Sequence, residues 1–373
     1  MPTLYMNNNE VSFQQGRTLL EVARTNQIRI PTLCYLAGTR PTGQCRICVV
    51  EAEGSETLLP ACGTPAAANM KILTDSPRVR AARKMIIEMM LASGAHNCIA
   101  AETAESDWTE NQLKIMDQPW HQALCPSHGH CRLQDLAIEY GASVKGMNIQ
   151  MYGHPLDDAA PMIVRDFSRC IGCGRCIQAC NEIQVNLAIR PPFGRREDHP
   201  DGWYPVVNYD NCTHCGECVQ VCPVGALFEK KAFGLSTGNE TQKIRTTCPY
   251  CGVGCQQWLH VKDDKIVKVT GVENGAPNKG RLCVKGRFGY DFIYSEERLK
   301  TPLIRENGTF REASWDEALD LVADKFKSII DESGPDAVAG VSCARSINED
   351  SYQMQKLFRA VFKTNNIDHC ART

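Results

Sequence analysis

The runs "CIGCGRCIQAC" and "CTHCGECVQVCP" leave this chain few choices. Each reads C-x2-C-x2-C-x3-C, placing Cys170, Cys173, Cys176 and Cys180 in one and Cys212, Cys215, Cys218 and Cys222 in the other. Three thiolates this close in sequence cap one face of a cubane iron–sulfide cage, while the fourth, on the helix that follows, crosses to the other cage. Cys180 is therefore expected to join Cys212, Cys215 and Cys218, and Cys222 to join Cys170, Cys173 and Cys176. A zinc explanation would have to account for eight cysteines in a duplicated pattern when four satisfy a zinc ion. The chain has 21 cysteines in 373 residues, in clusters. A disulfide scaffold is usually a short secreted chain, so the clusters point to metal or redox centres in a reducing compartment.

Ahead of these runs lies a small mixed α/β stretch, with alternating segments "TLYMNNNEVSF" and "ICVVEAEG" and a helical "TLLEVARTN". It carries Cys34, Cys45, Cys48 and Cys62 in C-x10-C-x2-C-x13-C spacing. Two thiolates two residues apart can grip one iron while the distant pair supplies the other, and Gly38 and Gly43 let the backbone close around inorganic sulfides. The expectation is a [2Fe–2S] centre; the long glycine-containing loop before "CRIC" argues against zinc.

Ser76 and Pro77 then open a helix, a capping residue followed by proline at the first helical position. Its Met and Ile face reads as packing, and it delivers His96 and Cys98 in "GAHNC". Cys125 and Cys131 follow in "LCPSHGHCRLQDLAIEYG", with His121, His128 and His130 nearby. Further on, Cys248, Cys251 and Cys255 stand in C-x2-C-x3-C with a remote Cys283, separated by a predicted hairpin at "WLHVKDDKIVKVTG", enough for another [4Fe–4S] cluster. Cys343 and Cys370 alone are left over.

The end of the chain reads as the start of a doubly wound sheet. Ser314 and Glu317 form a capping-box pattern before the amphipathic "SWDEALDLVADKFKSIIDESG", "DAVAGVSC" reads as a buried strand, and "NEDSYQMQKLFRAVFKTN" as a second helix. A ligand is expected in the loop that opens at the strand's carboxyl end, "SCARSINED". One strand between two helices cannot enclose a large cofactor, so residues 301–373 are expected to expose apolar surface and to be partly ordered at best unless another chain covers them.

The first set and "CRLQDLA" resemble the N-terminal modules of the large electron-transfer subunit of respiratory complex I and of related hydrogenases and formate dehydrogenases. In those families a histidine and three cysteines hold a [4Fe–4S] cluster, which implies His96, Cys98, Cys125 and Cys131 here, with residues 99–124 an insertion between ligands. Any of His121, His128 or His130 could substitute for His96. "TTCPYCGVGCQQW" through "CVKGRF" resembles the opening of molybdenum or tungsten enzymes with two pterin guanine dinucleotides. That resemblance implies Lys285 as an electron-relay residue between cluster and pterin, and Arg345 and Asn348 as pterin contacts. Helix capping and surface charge are the equal alternative for the last two. "NNIDHCAR" resembles the stretch of formate dehydrogenases that leads to a metal-binding selenocysteine or cysteine, so the metal ligand is expected just after Thr373, at an in-frame UGA.

The implied fold is α+β and multi-domain. It comprises a β-grasp [2Fe–2S] ferredoxin over 1–75, a [4Fe–4S] domain with one histidine and three cysteine ligands over 76–160, a two-[4Fe–4S] ferredoxin over 161–235, a [4Fe–4S] cap over 241–300 and an incomplete molybdopterin-binding α/β domain over 301–373. The implied function is the electron-transferring N-terminal portion of a formate dehydrogenase catalytic subunit, with one [2Fe–2S] and four [4Fe–4S] clusters and a molybdenum or tungsten bis-pterin in the complete enzyme. A non-catalytic electron-transfer subunit is the alternative. The implied partners are a diaphorase-type flavin and iron–sulfur subunit, a hydrogenase subunit or a ferredoxin, together with the missing C-terminal catalytic portion. A formal net charge of −2 gives no sign of a nucleic-acid surface. Neither an export signal nor a membrane span is visible, so the expected location is the cytoplasm.

Overall fold

A computed structural model describes residues 1–94, 96, 125, 127, 130–144, 147, 156–192, 204–232 and 241–370. They form two compact units, Met1–Gln242 with His260–Lys268, and Lys243–Leu259 with Val269–Thr373.

The first unit opens on a hairpin of β1 (Thr3–Met6) and β2 (Asn9–Ser12), turned by Asn7 and Asn8 at φ 51° and 67°. Paired positive φ suits the right-handed twist of the strands, and asparagine tolerates it best after glycine. Helix α1 (Leu19–Thr25) follows, then β3 (Val49–Ala52), β4 (Leu59–Pro60) and β5 (Lys71–Leu73). The five strands make one mixed sheet in the order β2-β1-β5-β3-β4, with β1 and β5 parallel, as a β-grasp requires. Alternation buries Leu4, Met6 and Val11, and α1 lays Leu19, Leu20, Val22 and Ala23 into the same core. A full capping box starts α1: Thr18 Oγ1 accepts from the Glu21 N–H, and the Glu21 carboxylate accepts from the Thr18 N–H.

Helix α2 (Pro77–Ala92) begins at Ser76, whose hydroxyl accepts from the Val79 N–H as expected. Its buried stripe is Val79, Arg83, Ile87 and Leu91, each four residues on from the last. The expected Met and Ile face packs in part: Ile87 is buried and Ile86 and Met90 lie against the core, whereas Met85 and Met89 are 64% and 59% exposed. The inward row also carries an arginine. Helix α3 (Arg132–Tyr140) packs on α2 and stops at Gly141, φ 58°.

Strands β6 (Leu156–Asp157), β7 (Ile163–Asp166) and β10 (Leu227–Glu229) form a sheet in the order β10-β7-β6, and β8 (Ile189–Arg190) pairs with β9 (Val206–Val207). Two short helices, α4 (Arg175–Gln178) and α5 (Glu217–Val221), each start after a left-handed glycine, Gly174 at φ 72° and Gly216 at φ 75°. The duplicated C-G-x-C thus has a duplicated backbone, and only glycine enters a helix from that conformation without strain.

Strands β11 (Gln242–Thr247), β12 (Gln256–Lys262) and β13 (Lys265–Gly271) form a three-stranded sheet that contains the predicted hairpin. Helix α6 (Val284–Phe288), the hairpin β14 (Leu303–Glu306) and β15 (Thr309–Glu312), α7 (Trp315–Ser333), β16 (Gly340–Ser342), α8 (Asn348–Lys356) and β17 (Ile367–His369) follow. Two expectations change here. Ser314 caps the Glu317 N–H, yet the Glu317 carboxylate turns to Arg311, so only half the capping box forms. The single expected strand is a parallel pair, since β17 aligns Ile367, Asp368 and His369 with Gly340, Val341 and Ser342. No residue of α7 is buried, which is the apolar exposure expected of 301–373. Among the described residues, no helix is long and apolar enough to cross a membrane.

Candidate functional site

The described cysteines are free thiols, and most are buried or half-buried. In the duplicated motif they group as the crossed pattern requires. Cys170, Cys173, Cys176 and Cys222 line one small apolar pocket with Phe167, Pro205 and Leu227. Cys180 instead lies within electrostatic reach of Cys215 and Cys212, as does Cys218. Burial, ahead of every other cause, pushes the Cys170 thiol up to about 11 and Cys218 up to about 12, with Cys173 and Cys176 also raised. Arg165 opposes the shift at Cys218, and Arg175 opposes it at Cys173. A thiolate in such a pocket needs a cation beside it, and coordination to a metal removes the proton outright.

The first set is assembled differently from its expectation. Cys34 pairs with Cys45, and Cys48 with Cys62, whereas the C-x2-C spacing assigns Cys45 and Cys48 to one iron. The thiol of Cys45 also accepts the Cys34 N–H at 3.4 Å. Cys45 and Cys48 point to different partners because Arg46, between them, has φ 56°, which turns the backbone within the C-x2-C. Within each pair one thiol is lowered by the hydrogen bond from its neighbour, Cys34 to about 5, while the other is raised by the same contact. Two pairs of mutually touching thiols offer two donors to each of two irons.

In the second set, Cys98, His121 and His128 lie outside the described residues. Cys131 and Cys125 are buried, and burial raises Cys131 to about 12, with Cys125 and Cys222 as charged neighbours. A Cβ on Gly225 would stand 2.4 Å from Cys125 Sγ, so that thiol occupies space which only a glycine leaves open. His96 is 6% exposed, and its Nε2 has no hydrogen-bond partner among the described residues. Burial first, then the Arg169 charge, lowers its pKa to about 4, so the ring is neutral with a free nitrogen, the form that binds a metal. His130 is exposed. Of these two described histidines, the buried and orphaned His96 fits a ligand better.

In the second unit, Cys248 and Cys255 are bound by backbone, the Cys248 N–H donating to the Cys255 carbonyl at 2.8 Å, and Cys251 and Cys283 are charged neighbours of both. Gly286 on α6 lies against Cys248, where an added Cβ would be 3.3 Å from Sγ. Lys285 is exposed on the same helix, two residues beyond Cys283. Asn348 donates from Nδ2 to the Gly252 carbonyl at 2.8 Å, and the Gly252 N–H in turn donates to the Ala344 carbonyl. Asn348 therefore holds the loop after β16 onto the "CGVGC" turn, a role that its place in the sequence does not announce. Arg345 stands exposed beside Cys343. A pocket of about 270 Å³ opens at the carboxyl ends of β16 and β17, between Cys343, Arg359 and His369, where a doubly wound sheet presents its ligand.

Sequence reasoning misses the residues that join the sets. Arg83, fully buried, donates from Nε to the Ile47 carbonyl at 3.1 Å, from Nη2 to the Val49 carbonyl at 2.9 Å and from Nη1 to the Tyr140 hydroxyl at 2.9 Å, bracketing Cys48. Gln178 of α4 donates to the Arg40 carbonyl, and the Arg40 N–H donates to Glu182 at 3.1 Å, which ties the Cys34–Cys45 loop to the duplicated motif. One apolar core, including Leu33, Ile47, Ile87, Leu91 and Leu133, is lined by Cys34 and Cys45 of the first set, Cys131 of the second and Cys173 of the third. Among the described residues no three acidic, His or Cys side chains converge as around a lone ion.

Comparison with known proteins follows the same divisions. Residues 1–77 match a 2Fe-2S iron-sulfur cluster binding domain and residues 166–226 a 4Fe-4S dicluster domain. Residues 241–295 match the molybdopterin oxidoreductase Fe4S4 domain and residues 298–373 the molybdopterin oxidoreductase domain. "Putative formate dehydrogenase YrhE" of Bacillus subtilis is 32% identical over 98% of this chain and 39% of its own length. The NADPH-Fe(3+) oxidoreductase subunit alpha of Geobacter sulfurreducens is 33% identical over all of this chain and 40% of its own. A subunit of the NADH-quinone oxidoreductase of Rhizobium meliloti is 32% identical over 98% of this chain and 40% of its own. The chain thus spans about 40% of the length of these curated relatives. A chain in a crystal structure of an NAD+-reducing [NiFe]-hydrogenase superposes with a TM-score of 0.51 at 25% identity, covering 63% of this chain and 89% of that one.

Proposed function

We propose, for a chain that is an iron–sulfur member of the molybdopterin oxidoreductase family, that it forms the electron-carrying portion of a formate dehydrogenase. The full-length enzyme would interconvert formate and carbon dioxide at a molybdenum or tungsten bis(pterin guanine dinucleotide) site. The observation that carries the reading is the single apolar core lined by thiols of three cysteine sets, and the likeness to the Bacillus subtilis relative along nearly the whole chain directs it to formate.

When bound, one [2Fe–2S] and four [4Fe–4S] clusters would supply one-electron chemistry at potentials set by ligand type, hydrogen bonds and burial. Cys34, Cys45, Cys48 and Cys62 would hold the binuclear centre. His96, Cys98, Cys125 and Cys131 would hold the next. Cys170, Cys173, Cys176 and Cys222 would hold a third, and Cys180, Cys212, Cys215 and Cys218 a fourth. Cys248, Cys251, Cys255 and Cys283 would hold the last, with Lys285 as a nearby cation and Arg345 as a cation for a dinucleotide phosphate. Asn348 holds the loop after β16 to Gly252. The electron acceptor would be a diaphorase-type flavin subunit, a hydrogenase subunit or a ferredoxin in the cytoplasm.

A second reading has its own support. The hydrogenase chain is covered over 89% of its length, which suits an electron-transfer subunit without an active site of its own. Anaerobic purification of the complete polypeptide separates the two. Formate-dependent viologen reduction, together with about 18 irons per chain, is the expected result. The full iron complement without formate activity, but with NAD(P)H-dependent reduction, supports the second reading. Zinc or an empty chain would overturn both.

A further inference from the structure

Two thiols take no part in the cysteine sets above. Cys343 follows β16 and Cys370 follows β17, and the last aligned pair of those parallel strands is Ser342 with His369. The two cysteines therefore leave the strand pair side by side. Neighbouring strands lie about 4.8 Å apart, inside the Cα spacing that disulfides use. Their sulfurs are 3.5 Å apart, Cys370 is exposed and Cys343 half-buried. We propose that Cys343 and Cys370 are a redox-active dithiol that closes to an intramolecular disulfide across β16 and β17, with small-molecule disulfides of the glutathione type as its oxidant.

The surroundings suit the exchange. The thiol of Cys370 is held below its ordinary value by the backbone of Ala344, then by Cys343, with Arg345 adding its charge. Being exposed, it is the one an external disulfide reaches first. Its thiolate attacks one sulfur of the external disulfide, forming a mixed disulfide and releasing one thiol. The Cys343 thiolate then attacks the Cys370 sulfur and releases the second. The pair loses two electrons and two protons, and one external disulfide becomes two thiols; a dithiol reverses it. Because Ser342 to Ile347 lead directly into Asn348, which is bonded to Gly252, closure fastens the segment that holds the "CGVGC" turn. It also ties together two walls of the pocket between Cys343 and His369. The proposal is independent of the formate reading.

The test uses the complete, iron-loaded protein held anaerobically in glutathione buffers of increasing oxidised fraction, then alkylated, digested and analysed by mass spectrometry. The expected product is a Cys343–Cys370 linked peptide at least about tenfold more abundant than any other cysteine pair, lost on adding dithiothreitol. In Cys343→Ser, Cys370 should accumulate as the glutathione mixed disulfide with iron content unchanged. Separate alkylation of both cysteines at every ratio would overturn the proposal. So would loss of a cluster's worth of iron from the Cys343→Ser, Cys370→Ser double variant, since the thiols would then be ligands.

Discussion

Helices α1 and α7 are built from the same local rules and end in opposite situations. Both start at a hydroxyl residue that caps the third helical N–H, and both have a glutamate at that position. Helix α1 is 7 residues long and buries four of them, whereas α7 is 19 residues long and buries none. Capping and propensity can shape a helix, but a short one is marginal in water unless an apolar face is covered. Trp315, Leu319 and Val322 of α7 stand exposed along one stripe, Trp315 at 67%, while in a later turn Phe326 packs against Phe362 at 4.8 Å. The difference teaches that a stripe of this kind is made to be covered, while the β-grasp already covers its own.

The sharpest test of that contrast is Arg83→Met. It leaves the Ile47 and Val49 carbonyls and the Tyr140 hydroxyl buried without their donor, and should destabilise the first region by about 3–5 kcal/mol, the cost of breaking a buried polar constellation. Region-resolved hydrogen exchange reads it, with amides of β3 and α2 the most affected, and Arg83→Lys should recover only part. Phe358→Ala probes the other side. Phe358 is the best-buried aromatic near β16 and packs on Gly340, so a loss of about 3 kcal/mol in β16 and β17 protection is expected. No change there would mean that the terminal region has no core at all. Ser76→Ala should cost about 1 kcal/mol in α2, measured as earlier exchange of its first turn. Leu319→Ser, on the exposed stripe, should shift stability by less than about 0.5 kcal/mol while reducing self-association by light scattering; a larger destabilisation would show that α7 is not bare.

What can be read in the sequence is what depends on neighbours in the chain. The Ser76–Pro77 start, the "WLHVKDDKIVKVTG" hairpin and the crossed cysteine groups follow from spacing alone. The misreadings have physical causes of the same kind. Cys45 and Cys48 stand close together in the chain, yet the left-handed Arg46 sends them to different partners. Strand β17 is three residues long and pairs in parallel with a strand 27 positions earlier, so no local alternation announces it. Arg83 is invisible because two of its partners are main-chain carbonyls more than 30 positions away, which any sequence would supply, and the third, the Tyr140 hydroxyl, is 57 positions away. Asn348 draws notice in its loop, but its partner Gly252 offers only a carbonyl, which no residue type encodes.

The exchange of Cys180 and Cys222 between the duplicated halves has a consequence for inheritance. Each half on its own musters three thiols for its pocket and one for its twin's, so excising either copy strands the survivor with an incomplete set. A gene that has acquired this interlocked arrangement can diversify around it or abandon it whole, but cannot shed one member and keep the other.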